Sequence, residues 1–133
     1  MKLKTITLNT KDLSCFKDSI KKEWLITNEI GGYASSTVLG INTRKYHGLL
    51  VSALKPPGSR IVLLEKLDED ITVDNQISRF GSNEFENTIF PKGYKYIKEF
   101  SINPNPTFIY MKNNIKLKKT IFMPANKNAV YIL

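Results

Sequence analysis

Aromatic, basic, amide and hydroxyl side chains are interleaved with glycines from Glu23 to Ala53, EWLITNEIGGYASSTVLGINTRKYHGLLVSA, inside an otherwise strand-like pattern. Such a mixture suits a sugar-binding surface. A pyranose offers apolar C–H faces and a ring of hydroxyls, so recognition calls for an aromatic platform beside groups that donate and accept hydrogen bonds. Trp24, Tyr33 and Tyr46 supply platforms, and Asn28, Asn42, Arg44 and His47 supply polar partners. The same residue types also serve a turn-rich β-sheet. For TRKYHGLL two readings stand: a site, or Arg44 paired with a nearby acid and His47 capping the sheet. Gly48 at that point suggests a bulge or a close backbone approach.

Other chemistries are poorly supported. His47 is the single histidine, its neighbours Tyr46 and Gly48 are not an orienting acid, and there is no G-x-S-x-G elbow, so a serine triad has nothing to build on. One histidine and one cysteine give no zinc-type ligand spacing, and neither a metal nor another cofactor is expected. Glycoside hydrolysis needs two flanking carboxylates. The acids of LEKLDEDITVD alternate with Leu64, Leu67 and Ile71, the pattern of a strand, a tight turn and a strand with a wet face. Gly31-Gly32 with Ser35 and Ser36 lacks the spacing of a phosphate loop, and TVLGI after it reads as strand, with no helix N-terminus to meet an anion.

A chain of 133 residues with 41% hydrophobic and 24% charged residues fits one compact domain and excludes disorder. The formal charge of +8 raises nucleic acid as a partner, but only Arg44, Arg60 and Arg79 among the 20 basic residues are arginines. The lysines are scattered, and the densest group, Lys112 to Lys119, alternates with Ile115 and Leu117 as a solvated strand face does. Arginine is the residue for bidentate phosphate and guanine contacts, so its scarcity argues against nucleic acid. Cys15, flanked by Ser14 and Phe16, has no partner for an intrachain disulfide and reads as a small buried hydrophobe in a reducing compartment. The N-terminus MKLKTITLNT is too polar for a signal peptide and no apolar run reaches the ~18 residues of a membrane span, so cytoplasm is the expected location and no membrane is a partner.

The elements that must position these residues read as an all-β, antiparallel sandwich with one short connecting helix. That helix is expected from Ser14 as cap through Phe16 and Ile20, with Trp24 continuing the same face. Strands are expected near 3–8, 24–28, 34–40, 46–53, 60–67, 69–73, 76–80, 96–102, 107–112, 115–123 and 128–133. Gly31-Gly32, Pro56-Pro57-Gly58, Asp74-Asn75 and Asn113-Asn114 supply turns. Many short strands without βαβ alternation imply two packed antiparallel sheets. The apolar run NAVYIL at the last residues fits a fragment of something longer, or a terminal strand tied into a sheet.

The run EWLITNEIGGYASSTVLGINTRKYHGLLVSALKPPGSRIVLLEKLDE, with FGSNEFENTIFPKGYKYIKEFSINPNPTFIY and IKLKKTIFMP after it, resembles the N-terminal domain of bacterial and archaeal glycogen debranching enzymes of the amylo-α-1,6-glucosidase type. The likeness covers the chain from about Trp24 onward, and EWLITNEIGGYAS and NTRKYHGLL are its specific motifs. Glu29-Ile30 departs from the small residue and Gly or Leu common before the glycine pair. The resemblance implies a non-catalytic β-sandwich that precedes an (α/α)₆ barrel holding the acid and base carboxylates. Residues 1–133 would then be one sandwich domain, an N-terminal fragment of a longer glycoside hydrolase, inactive alone and without catalytic residues of its own. It further implies that Trp24, Asn28, Tyr33, Arg44, Tyr46 and His47 bind an α-glucan, with Gly31, Gly32 and Gly48 serving backbone geometry. The alternative is an autonomous carbohydrate-binding or interdomain docking module, and an uncovered sheet face would favour a homo-oligomer.

Overall fold

The computed structural model describes residues 5–133. In chain order the strands are β1 (Ile6–Asn9), β2 (Glu23–Thr27), β3 (Tyr33–Thr37), β4 (Gly48–Lys55), β5 (Gly58–Leu64), β6 (Asp70–Val73), β7 (Gln76–Arg79), β8 (Ser82–Phe85), β9 (Thr88–Lys92), β10 (Ile97–Ile102), β11 (Pro106–Lys112), β12 (Ile115–Phe122) and β13 (Tyr131–Ile132). A one-turn helix α1 (Phe16–Ser19) joins β1 to β2, and a 3₁₀ turn covers Gly93–Tyr96. All pairings are antiparallel. One sheet runs β1-β10-β11-β12-β13, a second β2-β3-β4-β5, and β6-β7 and β8-β9 form separate hairpins. This is the expected all-β sandwich.

Inward positions of both sheets meet in one core. Phe100, Phe108, Tyr110 and Ile121 come from the first sheet, Trp24, Ala34 and Leu49 from the second, and Val38, Leu39, Ile41 and Phe80 from the connections. Phe108 lies against Phe100 at 4.9 Å and Phe80 against Tyr110 at 5.6 Å, both edge to face, the arrangement that ring quadrupoles favour. Turn chemistry sets the strand ends. Asp74 and Asn75 take φ of 49° and 62°, as a tight hairpin requires, and Asn113 at 54° turns β11 into β12.

Several expectations need correction. Ser14 does not cap the helix: its Oγ donates to Lys11 O at 2.7 Å, the cap position is Cys15, and Trp24 belongs to β2. Cys15 is exposed, not buried. The strand read over 34–40 ends at Thr37, because Val38, Leu39 and Ile41 dive into the core around Gly40 at φ 70°. The strand read over 3–8 appears as Ile6–Asn9, and positions 3 and 4 lie outside the described residues. Strand β13 occupies only Tyr131–Ile132 of the run read as 128–133. The β8-β9 hairpin was not expected, since Pro91 and the polar FENT run mask its alternation; a two-stranded ribbon has only edges, where proline is tolerated.

The lysine stripe of β12 is also not wholly solvated. Residues 115, 117, 119, 121 and 123 point inward, and Lys119 occupies one of those positions, 9% exposed. Its Nζ donates to Leu67 O at 2.5 Å and meets Glu69 Oε1 at 2.7 Å. Residues 65–69 connect β5 to β6 without the expected tight turn; Glu65 and Asp68 stay exposed, and Glu69 is half-buried against Lys119.

Candidate functional site

The two motif halves converge on Glu23. Strand β2 pairs with β3 in the register Glu23↔Thr37, Leu25↔Ser35 and Thr27↔Tyr33, so these residues share the face turned away from the core. The β3–β4 connection folds back over that face. It is tacked at one end where Arg44 Nε meets Glu23 Oε1 at 2.5 Å, and at the other where Tyr33 OH donates to Tyr46 O at 2.9 Å. The register shift in β4, where Tyr33 pairs with Val51 but Ser35 with Gly48, supplies the bulge needed to start this return.

His47 organises the turn. Its Nδ1 accepts backbone N–H bonds from Thr43 at 3.0 Å and Arg44 at 3.3 Å, so the ring proton resides on Nε2. Nε2 lies 3.1 Å from Glu23 Oε1, off the line of a well-formed hydrogen bond. Burial lowers the His47 pKa from its ordinary value, and the Glu23 charge opposes that shift only in part. Glu23 itself is held below the usual carboxylate range, chiefly by the Arg44 hydrogen bond. Arg44 spends its Nε on this contact, and its Nη groups make no hydrogen bond among the described residues; its side chain is 70% exposed. Arg44 therefore pairs with an acid, as the second sequence reading of TRKYHGLL expects, and His47 caps the turn that leads into β4.

The six candidate ligand-binding residues divide into two groups. Arg44 and Tyr46 are exposed and Tyr33 half-buried, whereas Trp24, Asn28 and His47 are interior. Lys45 Nζ lies 5.5 Å from the centre of the Tyr46 ring, and burial raises the Tyr33 pKa. Trp24 faces the core with Nε1 donating to Thr37 O at 3.2 Å. Asn28 is wholly buried and its hydrogen-bonding capacity is used: Oδ1 accepts from Ile30 N and Gly32 N, and Nδ2 donates to Lys127 O and Asn128 Oδ1. It braces the β2–β3 turn against the segment before β13. Asn42 is likewise occupied, by Ser36 Oγ and Glu65 O.

The glycines matter for close approach. Gly31 has φ 95°, and a Cβ there would stand 2.5 Å from Pro57 O of the β4–β5 loop. A Cβ on Gly32 would meet the Asn28 amide, and one on Gly48 would press on Val51 and Val62 at 3.1 Å.

Sequence reading missed Glu23, although it opens the EWL motif, because an isolated acid carries no sign of the partners that a 21-residue separation brings to it. It also missed a charged cluster beneath the second sheet. Lys66 contacts Asp68, Asn83 Oδ1 and Ser82 O, and burial lowers its pKa. With Lys119–Glu69 it staples the 65–69 connector to β12 and β8, and a cavity of about 30 Å³ beside Tyr110 has room for a water. Among the described residues no group of acids, histidines and cysteines could hold a metal ion, and no helix is long and apolar enough to cross a membrane.

The fold defines the class, an antiparallel β-sandwich. Residues 22–133 match the family model described as Glycogen debranching enzyme N terminal, and the chain belongs to that family. No curated protein and no solved structure matches the chain.

Proposed function

We propose that this chain is the non-catalytic N-terminal domain of an α-1,6-glucosidase-type glycogen debranching enzyme, where it supports an (α/α)₆ catalytic barrel and contributes to α-glucan binding. The observation that carries this reading is the convergence of the two family motifs: Glu23 of EWL pairs with Arg44 and lies beside His47 of NTRKYHGLL. Arg44 is anchored by Nε and its Nη groups face solvent, as donors for sugar hydroxyls must. In this reading Arg44, Tyr46 and Tyr33 meet the glucan, and Trp24, Asn28 and His47 hold their loops in place. Hydrolysis belongs to carboxylates of the barrel, in the cytoplasm.

Full-length enzyme carrying this domain provides the test. Arg44→Ala and Tyr46→Ala should raise KM for branched α-glucan while the domain melts as before. Unchanged KM with weakened association between domain and barrel would replace glucan contact by interdomain docking.

A further inference from the structure

Two depressions flank the exposed side chain of Glu84 on strand β8. One, of about 440 Å³, includes Glu23 and Arg44; the other, of about 340 Å³, is lined by Phe16 of α1, Phe85 of β8 and Tyr94 of the 3₁₀ turn. Both are shallow and open to solvent. The aromatic wall is braced: the Phe16 and Tyr94 rings pack 5.1 Å apart, and Tyr94 N donates to Ser82 Oγ at 2.7 Å. Phe85 stands 57% exposed on the hairpin, a large apolar ring beside carboxylate and guanidinium groups.

We propose that these two depressions form one groove, running from Arg44 past Glu84 to Phe85, that binds a linear α-glucan segment. This rests on the glucan reading above and gives it a second, aromatic half. Charges of both signs line the groove, Glu23 and Glu84 with Lys21, Arg44 and Lys92, so the hydroxyls of a neutral ligand find acceptors in the carboxylates and donors in the ammonium and guanidinium groups. Phe85 and Tyr94 provide the ring faces against which sugar C–H groups pack. Trp24, which the sequence offers for that task, is committed to the core.

Titration of the chain with maltoheptaose, followed by amide-resolved NMR, tests the groove. Saturable shifts are expected at α1, the β8-β9 hairpin and the loop around Arg44, with a dissociation constant on the order of 1 mM. Phe85→Ala and Glu84→Ala, both exposed, should each weaken binding about tenfold, roughly 1.4 kcal/mol, without lowering the melting temperature. Phe90→Ala removes an equally exposed ring of the same hairpin that does not line the groove, and should bind as the parent does. If the chain binds maltoheptaose but Phe85→Ala and Glu84→Ala bind equally well, the groove is wrong and the glucan reading survives. A chain that shows no shifts at about 20 mM, some twentyfold above that constant, overturns the groove outright, and the hydrolysis test then judges the glucan reading on its own.

Discussion

Glu23 Oε1 lies 2.5 Å from Arg44 Nε, joining the first residue of β2 to the connection that follows β3. The same oxygen is 3.1 Å from His47 Nε2, so one carboxylate sets the pose of a solvent-facing cation and faces a buried imidazole. Glu23→Gln should cost at most about 1 kcal/mol, because the pair is partly exposed. Its sharper effect concerns His47. The Glu23 charge favours imidazolium, so removing it should move the already lowered His47 pKa further down, which an NMR titration of the single histidine would read directly. An unchanged or raised value would mean that Glu23 does not act on the ring.

His47 also predicts a pH dependence. Its folded-state pKa lies below the unfolded value near 6.5, so the unfolded chain takes up the proton first. The stability contribution of neutral His47 is therefore complete above that value and is lost as pH falls from about 6.5 through the folded pKa. The melting temperature should decline between about pH 7 and pH 5, and His47→Gln, which can still accept from the Thr43 and Arg44 amides, should flatten that slope. Glu23, lowered below the ordinary carboxylate range, adds a separate loss only in the acid range below its unfolded value of about 4.3.

Asn28→Asp keeps the acceptors but replaces two donors by a carboxylate oxygen aimed at Lys127 O and Asn128 Oδ1. With Asn28 fully buried, denaturant unfolding should show a loss of about 3 kcal/mol. Asn28→Ala should also destabilise, by about 2 kcal/mol, through unsatisfied amides at Ile30 and Gly32.

The inward lysine of β12 should behave as a half-buried ion pair does. Lys119→Met leaves Glu69 without its cation and Leu67 O without its donor, and should destabilise by about 2 kcal/mol. Adding Glu69→Gln should recover part of that loss. A double variant less stable than Lys119→Met would show that Glu69 is held by other groups.

Gly31→Ala places a Cβ against Pro57 O at a φ of 95° that L residues rarely adopt. A loss of about 2 kcal/mol is expected by equilibrium unfolding, with the β4–β5 loop displaced. Gly58→Ala, whose Cβ would find ordinary contact at 3.7 Å from Lys55 O, is the matched control and should cost under about 1 kcal/mol.

Local chemistry alone determined much of the architecture. Period-two alternation in β10 to β12, and turn residues such as Asp74-Asn75 that tolerate positive φ, act within a few positions of themselves, so the sandwich and most of its hairpins were legible in the chain. The motifs around Trp24 and His47 were legible too, but not the division of labour inside them. Whether an aromatic or an amide faces solvent or core depends on strand register and on which connection folds over it. Those choices place Trp24 and Asn28 inside while leaving Arg44 and Tyr46 outside. Partners distant in sequence leave no local trace: Glu23 with Arg44, Lys119 with Glu69, and the groove between α1 and the β8-β9 hairpin exist only because packing brings separate segments together.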